Sequence, residues 1–255
     1  MRILLSNDDG ILAPGIAALR EAVADLGEVT VVAPDSPQSA AGHGITVHRA
    51  LTAQQVRLGG DGLTGVSVDG RPADCVRLAA RNLMPEMPEL VLSGVNAGAN
   101  VGINVFYSGT VAAAAEGAML GIPAVAFSAQ VADGAVDFPR AARLSRWVLD
   151  RLLRVGLSPG ELLNVNIPSG QGPPKGLRVV RQSTAEIEDI YNLDSDEGGL
   201  RRFSLGEDYR FIGHENDDVT CLAEGYITLT PLHVDMTNHA RLRHFAAGEW
   251  GEPLG

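Results

Sequence analysis

The strongest constraint on the fold is a repeat of short apolar strands separated by segments with helical periodicity. Residues 3–5 are apolar without polar alternation, which is typical of a strand buried on both faces of a sheet. A helix is predicted over 16–26 and a second buried strand over 29–33. A strand, a helix and a strand in this order predict a parallel sheet with right-handed crossovers, and therefore an α/β fold.

The same alternation continues as far as residue 168. It predicts strands at 90–92, 124–128 and 163–167, and helices at 72–83, 111–120 and 138–154. In the last of these helices the side chains expected to face inward are Leu144, Trp147, Val148, Leu152 and Val155. A Gly- and Pro-rich segment then ends the pattern, so we divide the chain into a core, residues 1–170, and a C-terminal segment, residues 171–255.

The C-terminal segment has a different pattern. Residues 178–182 and 187–211 alternate polar and apolar side chains, which predicts extended hairpins that project from the core as an arm. Such arms commonly exchange between subunits, so we expect an oligomer. A strand is predicted to return at 226–232, followed by a short helix and a tail.

One glycine pattern suggests a function that its position excludes. Residues 60–65 match the GxGxxG pattern of dinucleotide-binding proteins. That pattern follows a strand and opens a helix, whereas here it precedes a predicted strand at 66–69. We therefore predict a hairpin turn and no dinucleotide site.

Charge and cysteine content exclude several other classes. The formal net charge is -11 and Lys175 is the only lysine, so binding to a nucleic-acid polymer is disfavoured. An anionic substrate must then be attracted locally, by a metal or a helix N-terminus. Cys75 and Cys221 are isolated, which indicates buried thiols of a cytoplasmic protein. With no cationic leader or membrane-spanning apolar run, we expect no membrane association.

Two adjacent carboxylates follow the first strand directly. Asp8 and Asp9 would repel one another and lose hydration there, which is costly unless a cation or several backbone N–H groups lie between them. A divalent metal is the simplest solution. The alternative is that residues 7–10, Asn-Asp-Asp-Gly, form only a solvated turn.

Other polar groups are predicted to reach the same edge of the sheet. Ser39 lies in the small, polar loop after the second strand, and Asn96 lies in the Asn- and Gly-rich loop after strand 90–92. Ser108 or Thr110 can cap the next helix, and Gly109 admits close approach of a ligand. The free N–H groups of that helix would form an anion site, although plain N-capping explains the same residues.

Taken together, the chain resembles the SurE (survival protein E) family of metal-dependent nucleotidases and acid phosphatases. The resemblance spans nearly the whole chain. The motifs that carry it are Asn7-Asp8-Asp9-Gly10, Ala33-Pro34, Gln38-Ser39, Ile45-Thr46, Ser93 to Asn100, Tyr107 to Val111, Glu116-Gly117, Gly121 to Pro123, Asn164 to Pro168, Gly225-Tyr226 and Thr230 to Leu232.

The resemblance implies a Rossmann-like, doubly wound, mostly parallel sheet in a three-layer α/β/α arrangement. It also implies a C-terminal hairpin arm that builds a homodimer or homotetramer. One divalent cation per subunit, Mg²⁺ or Mn²⁺, is expected on four oxygen-bearing side chains, which suit a hard cation. These are Asp8, Asp9, Ser39 and Asn96. The chain departs from the family at Ala40, where the family has glycine, and at Asp217-Asp218, where the family has Thr-Asp.

The implied reaction is hydrolysis of a nucleoside monophosphate, a 5'-nucleotide in the first place. The range could extend to 3'-nucleotides and polyphosphate. Asp8, Asp9 and Asn96 are the expected catalytic residues, around a metal that activates water. The other assignments concern the phosphate. Ser108, Gly109 and Thr110 are expected to bind it, Asn100 and Asn104 to orient it, and His43 is a candidate general acid or a plain loop histidine.

Two other functions compete with this one. Asp8 could be a nucleophile that forms an aspartyl-phosphate, as in haloacid-dehalogenase-like phosphatases, but those enzymes need a lysine beside the phosphate and the chain offers only Lys175. The chain could also be a nucleotide-binding regulatory module that does not turn over its ligand. A serine hydrolase is excluded because the GxSxG motif is missing.

Overall fold

A nine-stranded sheet with helices packed on both faces forms the body of the protein. The computed structural model describes residues 1–59, 62–185, 187–188, 191–206, 210–211, 213–248 and 250. The strands are β1 (Arg2–Ser6), β2 (Glu28–Pro34), β3 (Ala53–Arg57), β4 (Thr64–Val68), β5 (Leu90–Ala97), β6 (Ala124–Ala129), β7 (Leu162–Ile167), β8 (Leu177–Val179), β9 (Ile187–Glu188), β10 (Tyr191–Glu197), β11 (Leu200–Leu205), β12 (Arg210–Phe211) and β13 (Ile227–Leu232). The α-helices are α1 (Pro14–Val23), α2 (Pro72–Leu78), α3 (Gly109–Met119), α4 (Phe138–Val155), α5 (Asp218–Ala223) and α6 (His239–Ala246).

The strand order of the sheet is β3-β4-β2-β1-β5-β6-β7-β13-β8. The six strands β4-β2-β1-β5-β6-β7 are parallel to one another. At the two ends of this run, β3 is antiparallel to β4 and β13 is antiparallel to β7. The predicted α/β class with a mostly parallel sheet is therefore confirmed. Because β1 and β5 lie side by side in parallel, the loops that follow them meet at one edge.

Consecutive apolar residues of β1 serve two separate cores. Leu5 belongs to the core that contains Phe127 and Leu149 and includes residues of α1 and α4, whereas Leu4 belongs to the core that contains Ala113 and includes residues of α2 and α3. Alternate residues of a strand point to opposite faces, so a strand covered on both faces has no polar alternation. The three layers explain the uninterrupted apolar runs in the sequence.

The buried face of α4 differs from the predicted one at two residues. Val148 and Leu152 are buried as expected, but Trp147 and Val155 are exposed, the latter to 85%. The helix buries Ala141, Ala142, Ser145, Val148, Leu149 and Leu152. Trp147 lies beside this stripe, where the Arg151 guanidinium stacks 3.4 Å from its ring centroid, and Val155 is the last helical residue.

Two strands beyond residue 170 complete the main sheet. β13 pairs with β7, and β8 pairs in parallel with β13 at the sheet edge. The prediction that residues 178–182 belong to a projecting hairpin is therefore wrong. An edge strand with one exposed face alternates polar and apolar residues as an arm does, so the pattern does not distinguish them.

The predicted arm is present between residues 187 and 211. β10 and β11 form an antiparallel hairpin, and the short strands β9 and β12 pair at its base. The other predicted hairpin is also found, because β3 and β4 are antiparallel and Leu58 N–H donates to Leu63 O at 2.9 Å. In the part of the chain that the structure describes, no helix has the length and apolar character needed to cross a membrane.

Candidate functional site

A cavity of about 490 Å³ opens at the edge of the sheet where β1 and β5 end. It is lined by seven of the residues predicted from the sequence, namely Asp8, Asp9, Ser39, Asn96, Asn100, Asn104 and Ser108. They come from the loops after β1 and β2, from the end of β5, from the segment between β5 and α3, and from the N-cap of α3. Asn96 was expected in a loop but is part of β5, which extends to Ala97. The structure thus brings together residues far apart in the chain, as the meeting of parallel strand ends predicts.

Asp8 is buried, at 7% exposure, and lies against the first turn of α3. The Thr110 hydroxyl donates a hydrogen bond to Asp8 Oδ1. Burial raises the pKa of Asp8 to about 6, and Asp9 also raises it, whereas the Thr110 hydrogen bond opposes the rise. A Cβ at Gly109 would lie 2.7 Å from Asp8 Cβ, so only glycine permits this approach.

Asp9 is half-buried and links the loop that follows β1 to the end of β5. Its Oδ2 accepts a hydrogen bond from Ala97 N–H at 3.2 Å, and burial raises the pKa of its carboxyl. Asn96 uses its amide nitrogen to donate to Gly98 O at 2.8 Å, which leaves Oδ1 as the atom available to a cation. The two side chains thus offer oxygen atoms from neighbouring strand ends.

Ser39 lies in the loop between β2 and β3 and is exposed to the cavity. The loop is joined to β1 by Gln38 N–H, which donates to Asp8 O at 2.8 Å. The next residue, Ala40, has a φ of 54°. A left-handed conformation favours glycine, which is the residue that the SurE resemblance leads one to expect at this position.

Asn100 is fixed by a buried polar network that the sequence analysis missed. Its N–H donates to Asn166 Oδ1 at 2.8 Å and its Nδ2 donates to Ser128 Oγ at 2.8 Å. Its carbonyl accepts from Asn164 and Asn166, both buried on β7. Two asparagines in an otherwise apolar buried strand were the signal for this network.

The first turn of α3 is divided between two tasks. Ser108 is its N-cap, because Ser108 Oγ accepts from Val111 N–H at 3.0 Å, and it also lines the cavity. Gly109 and Thr110 are buried and are not among the lining residues. The Thr110 hydroxyl serves Asp8, so any contact of Thr110 with phosphate would use its backbone N–H.

Three further side chains of the wall were not predicted. Tyr191 and Leu205 face each other at the base of the arm and both line the cavity, together with Tyr107. Tyr107 and Tyr191 are 55% and 64% exposed. Alternating apolar residues in the arm gave a weak signal, because they predict a strand but not what it approaches.

The candidate His43 and the Asp217-Asp218 pair, where the chain departs from the family, make structural contacts. His43 Nε2 lies 3.0 Å from Glu116 Oε2, and His43 is not among the lining residues. Asp217 caps α5 by accepting from Thr220 N–H at 2.9 Å. Asp218 is buried and accepts from the N–H groups of Gly102 and Ser183.

The donor set fits a hard divalent cation. Among the residues that the structure describes, no cluster of three or more His, Cys, Asp or Glu side chains could hold a metal ion. The cavity instead combines two carboxylates with a hydroxyl and an amide, and all four side chains present oxygen, as Mg²⁺ and Mn²⁺ prefer. Burial raises the pKa of both carboxyls, and Asp9 adds to the rise at Asp8, so a cation beside them would favour their charged forms.

Comparison with known proteins identifies the family. The family model described as survival protein SurE matches residues 3–189. The chain belongs to the SurE family. It is 45% identical over 252 residues to "5'-nucleotidase SurE 1" of Thermus thermophilus, with 95% of each chain covered. It is 43% identical over 244 residues to "5'-nucleotidase SurE" of Carboxydothermus hydrogenoformans, covering 94% of this chain and 92% of that protein.

A solved SurE structure shares the fold. The crystal structure of the SurE protein from Aquifex aeolicus superposes with a TM-score of 0.82 at 38% sequence identity and covers 96% of this chain and 98% of that one. The predicted family is therefore confirmed. The fold of this SurE family member, including the C-terminal hairpin, agrees with that assignment.

Proposed function

We propose that this SurE family member is a 5'-nucleotidase that hydrolyses nucleoside monophosphates with the help of one divalent cation. The observation that carries the proposal is the single cavity in which two carboxylates, a hydroxyl and an amide adjoin the N-terminus of α3. The names of the curated relatives support the same activity class.

Asp8, Asp9, Ser39 and Asn96 are the residues proposed to hold Mg²⁺ or Mn²⁺. When bound, such a cation supplies Lewis-acid chemistry: it polarises the phosphoryl group and makes water a better nucleophile near neutral pH. Asp8 presents its carboxylate in a fixed direction because Thr110 holds Oδ1. Ser39 and Asn96 add neutral oxygen atoms, so the site keeps the negative charge of its two carboxylates, which attracts a cation.

The phosphate of the substrate is proposed to lie at the start of α3. The Ser108 N–H already donates to Asn104 O at 3.0 Å, so the proposed donors are the Ser108 hydroxyl and the backbone N–H groups of Gly109 and Thr110. With the positive end of the helix they favour an anion there and stabilise charge in the transition state. Asn100 and Asn104, which line the same cavity, orient the phosphate. Asp9 is the more exposed carboxylate and accepts the proton of the attacking water.

A nucleoside is favoured over a simple phosphate ester by the aromatic wall of the cavity. The rings of Tyr107 and Tyr191 are exposed beside polar groups suited to phosphate. Stacking of a base on an aromatic ring contributes about 1–3 kcal/mol. We expect Tyr191→Ala to raise KM for 5'-AMP by about 5-fold or more while leaving ribose 5-phosphate hydrolysis unchanged. An equal effect on both substrates would count against a base contact.

The decisive experiment measures phosphate release from 5'-AMP and 5'-GMP with and without Mn²⁺. We expect turnover only with the metal, and none from Asp9→Asn. Release that does not depend on metal or on Asp9 would contradict the proposal. Adding 3'-AMP and short polyphosphate to the panel tests the wider substrate range.

The competing functions make different predictions for the same protein. A regulatory module would bind nucleotide and release no phosphate. An aspartyl-phosphate enzyme would be labelled by ³²P-substrate, whereas direct attack by water leaves no phosphoryl-enzyme. The Lys175 ammonium lies 5.8 Å from the ring centroid of Tyr226, and Lys175 is not among the cavity-lining residues, which disfavours the aspartyl-phosphate route.

The arm is proposed to build a homodimer or homotetramer. The exposed apolar side chains of the arm that do not line the cavity, each more than half exposed, are Leu193, Leu200 and Phe203. Contact with another subunit would remove this surface from water. We expect light scattering to give at least twice the monomer mass.

The cytoplasmic location stays a prediction, supported by the buried free thiols Cys75 and Cys221.

A further inference from the structure

A buried carboxylate outside the cavity joins three segments of the protein. Glu116 lies in α3, about two turns after the helix begins, and its side chain is only 4% exposed. Its Oε2 lies 3.0 Å from His43 Nε2 and its Oε1 lies 3.5 Å from Arg77 Nε in α2. A carboxylate buried to this extent is costly without partners, so these two contacts hold it in place. His43 in turn belongs to the loop between β2 and β3.

That loop carries Ser39 and is attached to the body on both sides of it. Before Ser39, Gln38 N–H donates to Asp8 O at 2.8 Å. After it, Gly42 N–H donates to Tyr107 O at 3.0 Å, and the neighbouring His43 contacts Glu116. Ser39 itself is exposed, so its position depends on these attachments.

The backbone beside Ser39 has an unfavourable conformation that these attachments hold in place. Ala40 has a φ of 54°, in the left-handed region that costs a residue with a Cβ roughly 1–2 kcal/mol. A non-glycine residue keeps such a conformation only when its surroundings fix it. The attachment points at Gln38 and at Gly42-His43 lie on either side of this residue.

We infer that His43 and Glu116 are positioning residues that hold the Ser39 hydroxyl beside Asp8 and Asp9 for the divalent cation. The inference rests on the metal site proposed above. His43 acts through the loop, since its ring faces Glu116 and it does not line the cavity. Outer residues that orient metal ligands typically change metal affinity by about 10–100-fold when they are replaced.

The test measures the Kd for Mn²⁺ by isothermal titration calorimetry on the full-length protein, without substrate. We expect His43→Ala to raise the Kd by about 10-fold, and His43→Gln to restore most of the loss because its amide can donate to Glu116. The matched control is His48→Ala. His48 is an exposed histidine of the same loop. The His48→Ala variant should bind Mn²⁺ with the affinity of the wild type.

A double-mutant cycle with Glu116→Gln separates positioning from general loss of structure. If the two residues act through their mutual contact, adding His43→Ala to Glu116→Gln should raise the Kd for Mn²⁺ little further. Thermal unfolding in EDTA should show one cooperative transition for both His43→Ala and His48→Ala, with a lower midpoint for His43→Ala because the buried Glu116 loses one of its two partners. Equal Mn²⁺ affinity of His43→Ala and wild type, or additive effects in the cycle, would overturn the inference. Absence of Mn²⁺ binding by the wild type would overturn the proposed function as well.

Discussion

Replacing Asp8 by asparagine should stabilise the protein in the absence of metal while abolishing its activity. Asp8 is buried beside Asp9, and this burial raises the pKa of its carboxyl from 3.8 to about 6. Asparagine has nearly the shape of the protonated acid and can still accept the hydrogen bond from Thr110 through its amide oxygen. The variant therefore removes the charge and leaves the packing intact.

The size of the effect follows from the pKa. One pKa unit corresponds to about 1.4 kcal/mol, so raising the pKa of Asp8 from 3.8 to about 6 costs roughly 3 kcal/mol at neutral pH. This cost is absent below pH 3.8, where the carboxyl is protonated in both the folded and the unfolded state. It grows as the pH rises to about 6 and is constant above that pH. Asp8→Asn should thus match the wild type in acid and exceed it by roughly 3 kcal/mol near neutral pH.

Urea unfolding in EDTA across this pH range measures the difference, and phosphate release from 5'-AMP in Mn²⁺ measures the lost activity. Asp69→Asn is a control of opposite sign, because a hydrogen bond from Thr52 N–H and the nearby Arg49 lower the pKa of Asp69. That substitution should lower stability near neutral pH. If Asp8→Asn is less stable than the wild type in EDTA, or if its advantage does not change with pH, the proposed electrostatic cost is refuted.

Three further predictions concern Thr110, a buried threonine of β13, and the binding of Mn²⁺. Thr110→Val should lower kcat/KM by about 10–100-fold because Asp8 loses its hydrogen-bond donor, whereas Thr110→Ser should keep most of the activity. Thr228→Val should raise the free energy of unfolding by about 1 kcal/mol without changing activity, since Thr228 Oγ1 is buried with no hydrogen-bond partner in the described part of the chain; a loss of stability would contradict this. Mn²⁺ affinity, measured by calorimetry, should fall about 10-fold per pH unit below about pH 6, where a proton competes for Asp8, and an affinity that is flat down to pH 5 would exclude that competition.

The residues around the proposed cation site could be predicted because topology alone brings them together. Asp8 and Ser39 follow β1 and β2, and Asn96 lies at the end of β5; these three strands are parallel neighbours, and their ends meet at one edge. The direction of the Thr110 hydroxyl could not be predicted in this way. Ser108 and Thr110 are equally suited to cap a helix, and only the position of β1 against α3 decides that Thr110 faces Asp8.

Other features depend on contacts between segments that local pattern does not record. Trp147 was expected in the core because helical periodicity locates the buried stripe only to within one residue, and a long arginine can cover the ring instead. β8 was assigned to the arm because an edge strand and an arm share the same alternation. The role of the asparagines of β7 could not be predicted, because it depends on the loop carrying Asn100, which lies beside them in the fold.

The way in which the protein stabilises its two carboxylates explains the chemistry of the cavity. Asp8 and Asp9 receive hydrogen bonds from a hydroxyl and from a backbone N–H, both neutral. Among the described residues that line the cavity, none is arginine or lysine. A cationic side chain would neutralise the pair and occupy the place of a divalent ion. Neutral donors instead leave negative charge uncompensated, so the metal-free fold is less stable near neutral pH and a doubly charged cation binds with a correspondingly larger gain.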